Sequence, residues 1–182
     1  MIEKLRKYID LDAIGRRIPL PADAITALSL AVALLGLFLK PPWAFILAVG
    51  ALDAIDGAIA RAHKAESKSG ALLDSTLDRV VDAVILLYFD WPQFYAFFAA
   101  LLGTFLVSYI RARAESLGLA MRGVGFMERG ERLLYLAAAS LIGAPISAFA
   151  LYLYAALVDV AAAYRFAEAY VALKGPRAAR PS

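Results

Sequence analysis

Along this chain, apolar runs alternate with short polar or proline-bearing breaks. A helix rises about 1.5 Å per residue, so about 20 mostly apolar residues cross roughly 30 Å of hydrocarbon. Six runs approach that measure. The first is predicted from Ala22 to Leu39, stopped by Lys40-Pro41-Pro42-Trp43, and the second from Trp43 to Ala62. The third runs from Gly70 to Phe89, before Asp90-Trp91-Pro92-Gln93, and the fourth from Phe94 to Arg113. The fifth is predicted from Arg132 to Ile142, stopped by Gly143-Ala144-Pro145, and the sixth from Ile146 to Leu173. Ahead of them, Ile2, Leu5, Ile9 and Ala13 recur at helical spacing with Lys4, Arg6 and Lys7 between. That pattern predicts an amphipathic helix over 1–18, lying on a membrane surface. The expected fold is all-α: a polytopic integral membrane protein with six transmembrane helices plus the N-terminal surface helix. No linker, low-complexity block or internal repeat divides the chain, so one domain over 1–182 is expected.

Composition sharpens this picture. Apolar residues make up 62% of the 182 positions and charged residues only 19%, with a mean hydropathy of +0.68. Ordinary soluble domains are nearer one-half apolar. With no Cys, a disulfide framework and a thiolate metal site are excluded, and any metal must be held by oxygen ligands or the single His63. The amino end lacks the apolar core and small-residue cleavage site of a signal peptide and is expected to be retained. Lys and Arg are one-sided. Lys4, Arg6, Lys7, Arg16 and Arg17 precede the first span, while Arg61, Lys64 and Lys68 follow the second. Arg111, Arg113, Arg122, Arg129 and Arg132 lie between the fourth and fifth spans, and Lys174, Arg177 and Arg180 follow the sixth. The opposite loops hold only Lys40. The positive-inside rule then puts both termini on the cytoplasmic side of the cell membrane. A basic inner face of this kind suits anionic lipid head groups and phosphorylated substrates, and no nucleic-acid partner is expected.

Acidic residues interrupt the second and third runs. An ionised carboxylate at mid-span is unfavourable by about 2.5 to 3.5 kcal/mol even on the lenient insertion scale, so several together demand a polar, partnered setting. Counting inward from Trp43 and Asp90, Asp53 lies about 15 Å deep, Asp78 about 18 Å, Asp56 about 20 Å and Asp74 about 24 Å. Antiparallel neighbours would bring these four into one layer. At 100° per residue, Asp53, Asp56, Gly57 and Ala60 share one face, as do Gly70, Asp74 and Asp78. Four carboxylates so close repel one another strongly unless cations neutralise them. Hard divalent ions with oxygen ligands, Mg²⁺ or Mn²⁺, fit that role, and four Asp suffice for two ions. Gly57 and Gly70 remove side chains where a ligand could approach, and Arg61 could hold a phosphate. The competing explanation is structural pairing of these acids with Arg79 and neighbouring arginines.

The stretch reads Asp53-x-x-Asp56-Gly57-x-x-Ala60-Arg61, eight further residues, then Gly70-x-x-x-Asp74-x-x-x-Asp78. In every fixed position and gap it resembles the signature of the CDP-alcohol phosphotransferase family. Asp23 and Thr26 open the first span, where the family often has Pro-Asn before the same Thr; here the pair is Ala22-Asp23. The resemblance implies that Asp53, Asp56, Asp74 and Asp78 hold two Mg²⁺ or Mn²⁺ ions and that Asp78 is the general base. It implies that Thr26, Asp53, Gly57, Ala60, Arg61, Gly70 and Asp74 bind a CDP-lipid, CDP-diacylglycerol or CDP-archaeol. The implied reaction moves the phosphatidyl or archaetidyl group to an acceptor hydroxyl and releases CMP, in an enzyme expected to be a homodimer.

Basic residues bear on the acceptor. Ser108 and Arg111 lie three apart at the inner end of the fourth span, Arg129 and Arg132 repeat that spacing entering the fifth, and Arg165 stands within the sixth. Together they could hold a small polar phosphorylated acceptor, although the positive-inside rule alone also places arginines at span ends. The pattern is similar to the branch that transfers onto inositol 1-phosphate, the phosphatidylinositol-phosphate and archaetidylinositol-phosphate synthases. Carried over by position, the acceptor-phosphate set is Ser108, Arg111, Arg129 or Arg132, and Arg165. Glycerol 3-phosphate, serine or another alcohol is the alternative acceptor within the family. Outside it stand a Mg²⁺-dependent membrane prenyltransferase and a divalent-cation transporter. His63 reads as an inner-side loop residue, Asp82 as a structural partner of Arg79, and Trp43 with the aromatic residues of 88–95 as an outer interfacial belt.

Overall fold

The computed structural model describes residues 21–63, 67–121, 123–142 and 146–175. The surface helix expected over 1–18 lies outside the described residues. Among those residues there are six helices and no strand: α1 (Ala22–Leu35), α2 (Pro42–His63), α3 (Lys68–Leu86), α4 (Phe94–Ser116), α5 (Arg129–Ala139) and α6 (Ile146–Lys174). Local chemistry sets their ends. Pro21 enters α1 in an extended conformation, and Asp23 in the first turn suits the positive end of the helix dipole. The Ser67 hydroxyl caps α3 by accepting the Gly70 N–H at 2.9 Å. α1 stops four residues before the end of its apolar run, ahead of Pro41 and Pro42. There the Tyr88 hydroxyl donates to the Ala33 carbonyl, and the Tyr88 ring lies where a Cβ on Gly36 would have to go.

Six helices match the six runs, but only three described helices are both long and apolar enough to cross a membrane. These segments are Pro42–Ile59, Phe94–Ser116 and Ser147–Lys174. α1 is apolar but has 14 residues. α3 carries Asp74, Asp78, Arg79 and Asp82, which lower its hydropathy. α5 is displaced furthest from expectation: it starts at Arg129 instead of Arg132 and ends at Ala139 instead of Ile142, with the same length of 11 residues. At about 1.5 Å per residue such a helix falls well short of the hydrocarbon thickness.

The chain divides into two compact units. The first comprises the described residues up to Asp90 together with Gly130–Ile142. In it α1 packs against both α2 and α3. The second comprises Trp91–Arg129 and α6, with α4 packed against α6. Small residues are buried on both helices, Ala96, Ala100 and Gly103 on α4 and Ala155, Ala161 and Ala162 on α6, and Gly103 meets Val158 and Asp159 of α6. Phe94, Phe98, Phe149 and Val171 stand exposed. Large apolar side chains outward and small ones between helices is the distribution expected where the solvent is lipid and association depends on close packing. A Cβ on Gly103 would collide with Val158 and the Asp159 carboxylate, and Thr104 Oγ1 and Tyr154 Oη form a buried hydrogen bond of 3.0 Å.

In the first unit α5 is joined to α3 by charge. Arg132 and Asp82 are both buried, and the Arg132 guanidinium donates to Asp82 Oδ2 at 2.7 Å. Asp82 was expected to pair with Arg79. Arg132 is the partner observed, while Arg79 donates to the Ser75 carbonyl one turn back on its own helix. Removing one member of a buried pair strands the other charge, at a cost of about 3–5 kcal/mol, whereas replacing both by apolar residues is often tolerated. Arg132→Met should therefore lower the thermal unfolding midpoint in detergent sharply. The double variant Asp82→Leu/Arg132→Met should regain most of the loss, and a double variant no better than the single one would show that the pair is not what ties α5 to α3.

Candidate active site

Three carboxylates from two helices meet in the first unit. Asp53 and Asp56 project from α2 one turn apart, and Asp74 comes from α3; each offers an oxygen within 4.8 Å of the others. Asp56 is buried, while Asp53 and Asp74 are half-buried. Thr26 reaches in from α1, where it is also buried, and its hydroxyl donates to Asp56 Oδ2 at 3.3 Å. Thr26 therefore touches the acids directly. Its placement follows from α1 packing on both α2 and α3.

Gly70 lies in the first turn of α3. A Cβ there would stand 3.1 Å from Asp23 Oδ1 and 3.0 Å from the capping Ser67 hydroxyl. The missing side chain thus lets the carboxylate of Asp23 on α1 approach the start of α3. In the sequence Asp23 stands out only as a departure from Pro-Asn. Its contact with Gly70 depends on how α1 crosses α3, which no local pattern reveals. Gly57 is half-buried directly after Asp56. Ala60, Arg61 and His63 belong to α2, and their side chains lie outside the described residues.

Asp78 does not join the three-carboxylate group. It is half-buried and follows Asp74 by one turn of α3. Asp82, one turn further, is held by Arg132. A single face of α3 thus carries three acids with different surroundings.

The residues singled out for an acceptor phosphate are divided between the two units, with Arg132 in the first and the others in the second. In the second unit, Ser108 and Arg111 are half-buried on α4, and Arg111 Nε meets Glu115 Oε1 at 3.1 Å with both side chains partly exposed. Arg165 on α6 is buried and donates to the Phe126 carbonyl at 3.1 Å and to the Val107 carbonyl, beside Ser108, at 3.5 Å. Two backbone carbonyls thus help to hold this guanidinium within an apolar helix. Arg129 is half-buried at the first position of α5. Arg132 is engaged by Asp82.

The donor set defines the chemistry available. Like unit charges about 4 Å apart repel by roughly 4 kcal/mol at an effective dielectric near 20, so three converging carboxylates favour a cation among them. An all-oxygen, all-carboxylate set suits a hard divalent ion such as Mg²⁺ or Mn²⁺ and not a soft metal. Asp53, Asp56 and Asp74 are placed to supply it, with Thr26 orienting Asp56. Mn²⁺ titration followed by electron paramagnetic resonance should show binding to the purified protein. Asp56→Asn should weaken it by about tenfold or more and Thr26→Val by a smaller factor, as loss of an outer-shell partner does. Unchanged Mn²⁺ affinity in Asp56→Asn would remove that carboxylate from the metal site.

The CDP-alcohol phosphatidyltransferase family model matches residues 20–172. An archaetidylinositol phosphate synthase of Pyrococcus horikoshii is 48% identical over 103 residues, covering 54% of this chain and 55% of that protein. The protein of the same name from Methanothermobacter thermautotrophicus is 39% identical over 148 residues, covering 76% of this chain and 74% of its own length. The chain thus spans about half of the Pyrococcus relative and three-quarters of the Methanothermobacter one. Among solved structures, the phosphatidylinositol phosphate synthase of Mycobacterium tuberculosis with CDP-DAG bound is similar with a TM-score of 0.76. The identity is 25%, over 94% of this chain and 98% of that one. Its complex with manganese and citrate gives a TM-score of 0.71 at 27% identity, over 94% and 93% of the two chains. The chain belongs to the CDP-alcohol phosphatidyltransferase family.

Proposed function

We propose that this family member transfers the phosphatidyl or archaetidyl group of a CDP-lipid to a ring hydroxyl of inositol 1-phosphate and releases CMP. The observation that carries the reading is the convergence of Asp53, Asp56 and Asp74, at the spacing of the family signature. Relatives named as inositol phosphate synthases support the acceptor, and a similar structure with manganese supports the metal.

Asp53, Asp56, Asp74 and Asp78 hold two Mg²⁺ or Mn²⁺ ions, which when bound neutralise the pyrophosphate and the charge developing in the transition state. Thr26, Gly57, Ala60, Arg61 and Gly70, with Asp53 and Asp74, receive the CDP end of the donor. The acceptor oxygen forms a bond to the lipid-bearing phosphorus as the bond from that phosphorus to the CMP oxygen breaks. CMP leaves with that electron pair, and Asp78 takes the proton from the attacking hydroxyl. Ser108, Arg111 and Arg165 hold the acceptor phosphate, Arg165 through a guanidinium whose plane two backbone carbonyls already set. Arg129 completes the set in preference to Arg132, because Arg132 is buried on Asp82.

The protein sits in the cell membrane with all six helices embedded, α1, α3 and α5 alongside the three longer apolar ones, and both termini on the cytoplasmic side. The N-terminal surface helix and a homodimeric state complete this picture. One domain over 1–182 is favoured because the family match runs through both compact units.

Purified protein with Mg²⁺, CDP-diacylglycerol or CDP-archaeol and a panel of acceptors should release CMP with inositol 1-phosphate. No CMP with any acceptor would sink the reaction class, and release only with serine or glycerol 3-phosphate would sink the acceptor. Asp78→Asn should abolish turnover while CDP-lipid binding remains measurable; wild-type turnover in that variant would remove Asp78 as the base.

A further inference from the structure

The segment that follows α4 folds back within the second unit. Met121 is buried with Ala114 and Ala169, and Leu119 and Val124 pack against them. A few residues on, the backbone comes down on α6. Gly125 has φ +86°, the Phe126 ring lies 6.5 Å from that of Tyr164, and the Phe126 carbonyl accepts from Arg165 at 3.1 Å. A Cβ on Gly125 would stand 3.0 Å from Arg165 Nε, 3.1 Å from its Cγ and 3.5 Å from Tyr164 Cδ1. The first two separations are tighter than ordinary carbon contacts, so any side chain at 125 displaces either the loop or the arginine. Gly118 makes the contrast: it has the same φ of +86°, yet a Cβ there meets nothing within 4 Å.

We propose that Gly125 is a positioning residue for the acceptor phosphate: it lets the loop backbone close on the stem of Arg165 and so fixes the guanidinium beside Ser108. The inference rests on the reading of Arg165 as an acceptor-phosphate ligand. A guanidinium carries its five N–H donors in one rigid plane, so carbonyls on one side determine where donors to an anion lie on the other. The loop sets that plane through Phe126, and α4 through Val107. Acceptor affinity is thereby coupled to a backbone position that is not itself required to touch the acceptor.

Two substitutions separate the contact from backbone strain. Gly118→Ala carries the strain of positive φ without a contact, whereas Gly125→Asn places a Cβ against Arg165 in a residue type that tolerates positive φ better than Ala does. Misplacement of a binding group by 1 Å can cost a hundredfold, so a shift of a few tenths of an ångström should raise the KM for inositol 1-phosphate by about tenfold in Gly125→Asn. The KM for the CDP-lipid should stay within about twofold, and Gly118→Ala should leave both constants within about twofold. In an Arg165→Lys background, Gly125→Asn should add little, because the group it acts through is gone. A second measurement needs no turnover: inositol 1-phosphate should raise the thermal unfolding midpoint of the wild type and of Gly118→Ala, but raise that of Gly125→Asn much less. Should Gly125→Asn not fold, Gly125→Ala is to be read by the same midpoint shift. Equal effects of the substitutions at 118 and 125, or equal losses for acceptor and CDP-lipid, overturn the proposal while leaving the reaction intact. A wild type that neither uses nor is stabilised by inositol 1-phosphate overturns the acceptor reading and this proposal together.

Discussion

Carboxylates cannot be gathered in an apolar setting unless something offsets both their mutual repulsion and their loss of water. Asp53, Asp56 and Asp74 bring oxygens within 4.8 Å of one another, and much of the first unit is arranged to make that possible. α1 packs on both α2 and α3, so that Thr26 can donate to Asp56. The missing side chain at Gly70 lets Asp23 approach the start of α3, and Ser67 fixes that start by capping it. None of these interactions needs to be strong in isolation, since a neutral hydrogen bond contributes about 1 kcal/mol net. Their joint effect is to hold the acids in one place, so that a divalent ion meets a prepared set of ligands instead of assembling one.

The remaining buried charges are treated by different means, and the difference tracks what each can do. Asp82 and Arg132 are buried and paired in a bond of 2.7 Å, which fastens the short α5 to α3. Arg165 donates to two backbone carbonyls, which orient its guanidinium. Carbonyls that fix the plane of a guanidinium also fix where its donors point, whereas breaking a buried ion pair strands a charge. This contrast is the physical ground for assigning Arg165 to a phosphate and Arg132 to the scaffold, although both are arginines in otherwise apolar surroundings.

Much of this was legible in the sequence where the cause is local. Proline-bearing breaks at 40–43, 90–93 and 143–145 marked the helix order, and helical spacing placed Asp53 with Asp56 on one face of α2 and Asp74 with Asp78 on one face of α3. The two faces meet at Asp53, Asp56 and Asp74, with α1 packed against both helices. What sequence reasoning could not supply was contact at a distance. Asp82 and Arg132 are separated by 50 positions, and nearer Arg79 was the natural guess for a partner. Asp78 shares a face with Asp74 one turn along α3, whereas the group with oxygens within 4.8 Å is made by Asp53, Asp56 and Asp74. The position of α5 was hidden by an apolar run that continues to Ile142, although the helix, of the expected 11 residues, begins and ends three residues earlier.

Backbone acceptors leave no mark in residue types, and this is why the surroundings of Arg165 were invisible beforehand. A carbonyl belongs to every residue, so nothing in Val107 or Phe126 announces that it will receive a guanidinium. The readable trace is indirect: glycines at 118, 123 and 125 with positive φ show where the chain turns, and only the one at 125 turns against another element. Function in such a loop is carried by an absence, since what matters at 125 is the room left for Arg165. Glycine-rich connections in membrane enzymes are easily set aside as spacers between spans. Here the spacing of one such connection determines how a buried cation is aimed, and the same physics makes a loop glycine as consequential as a charged residue in the helix beside it.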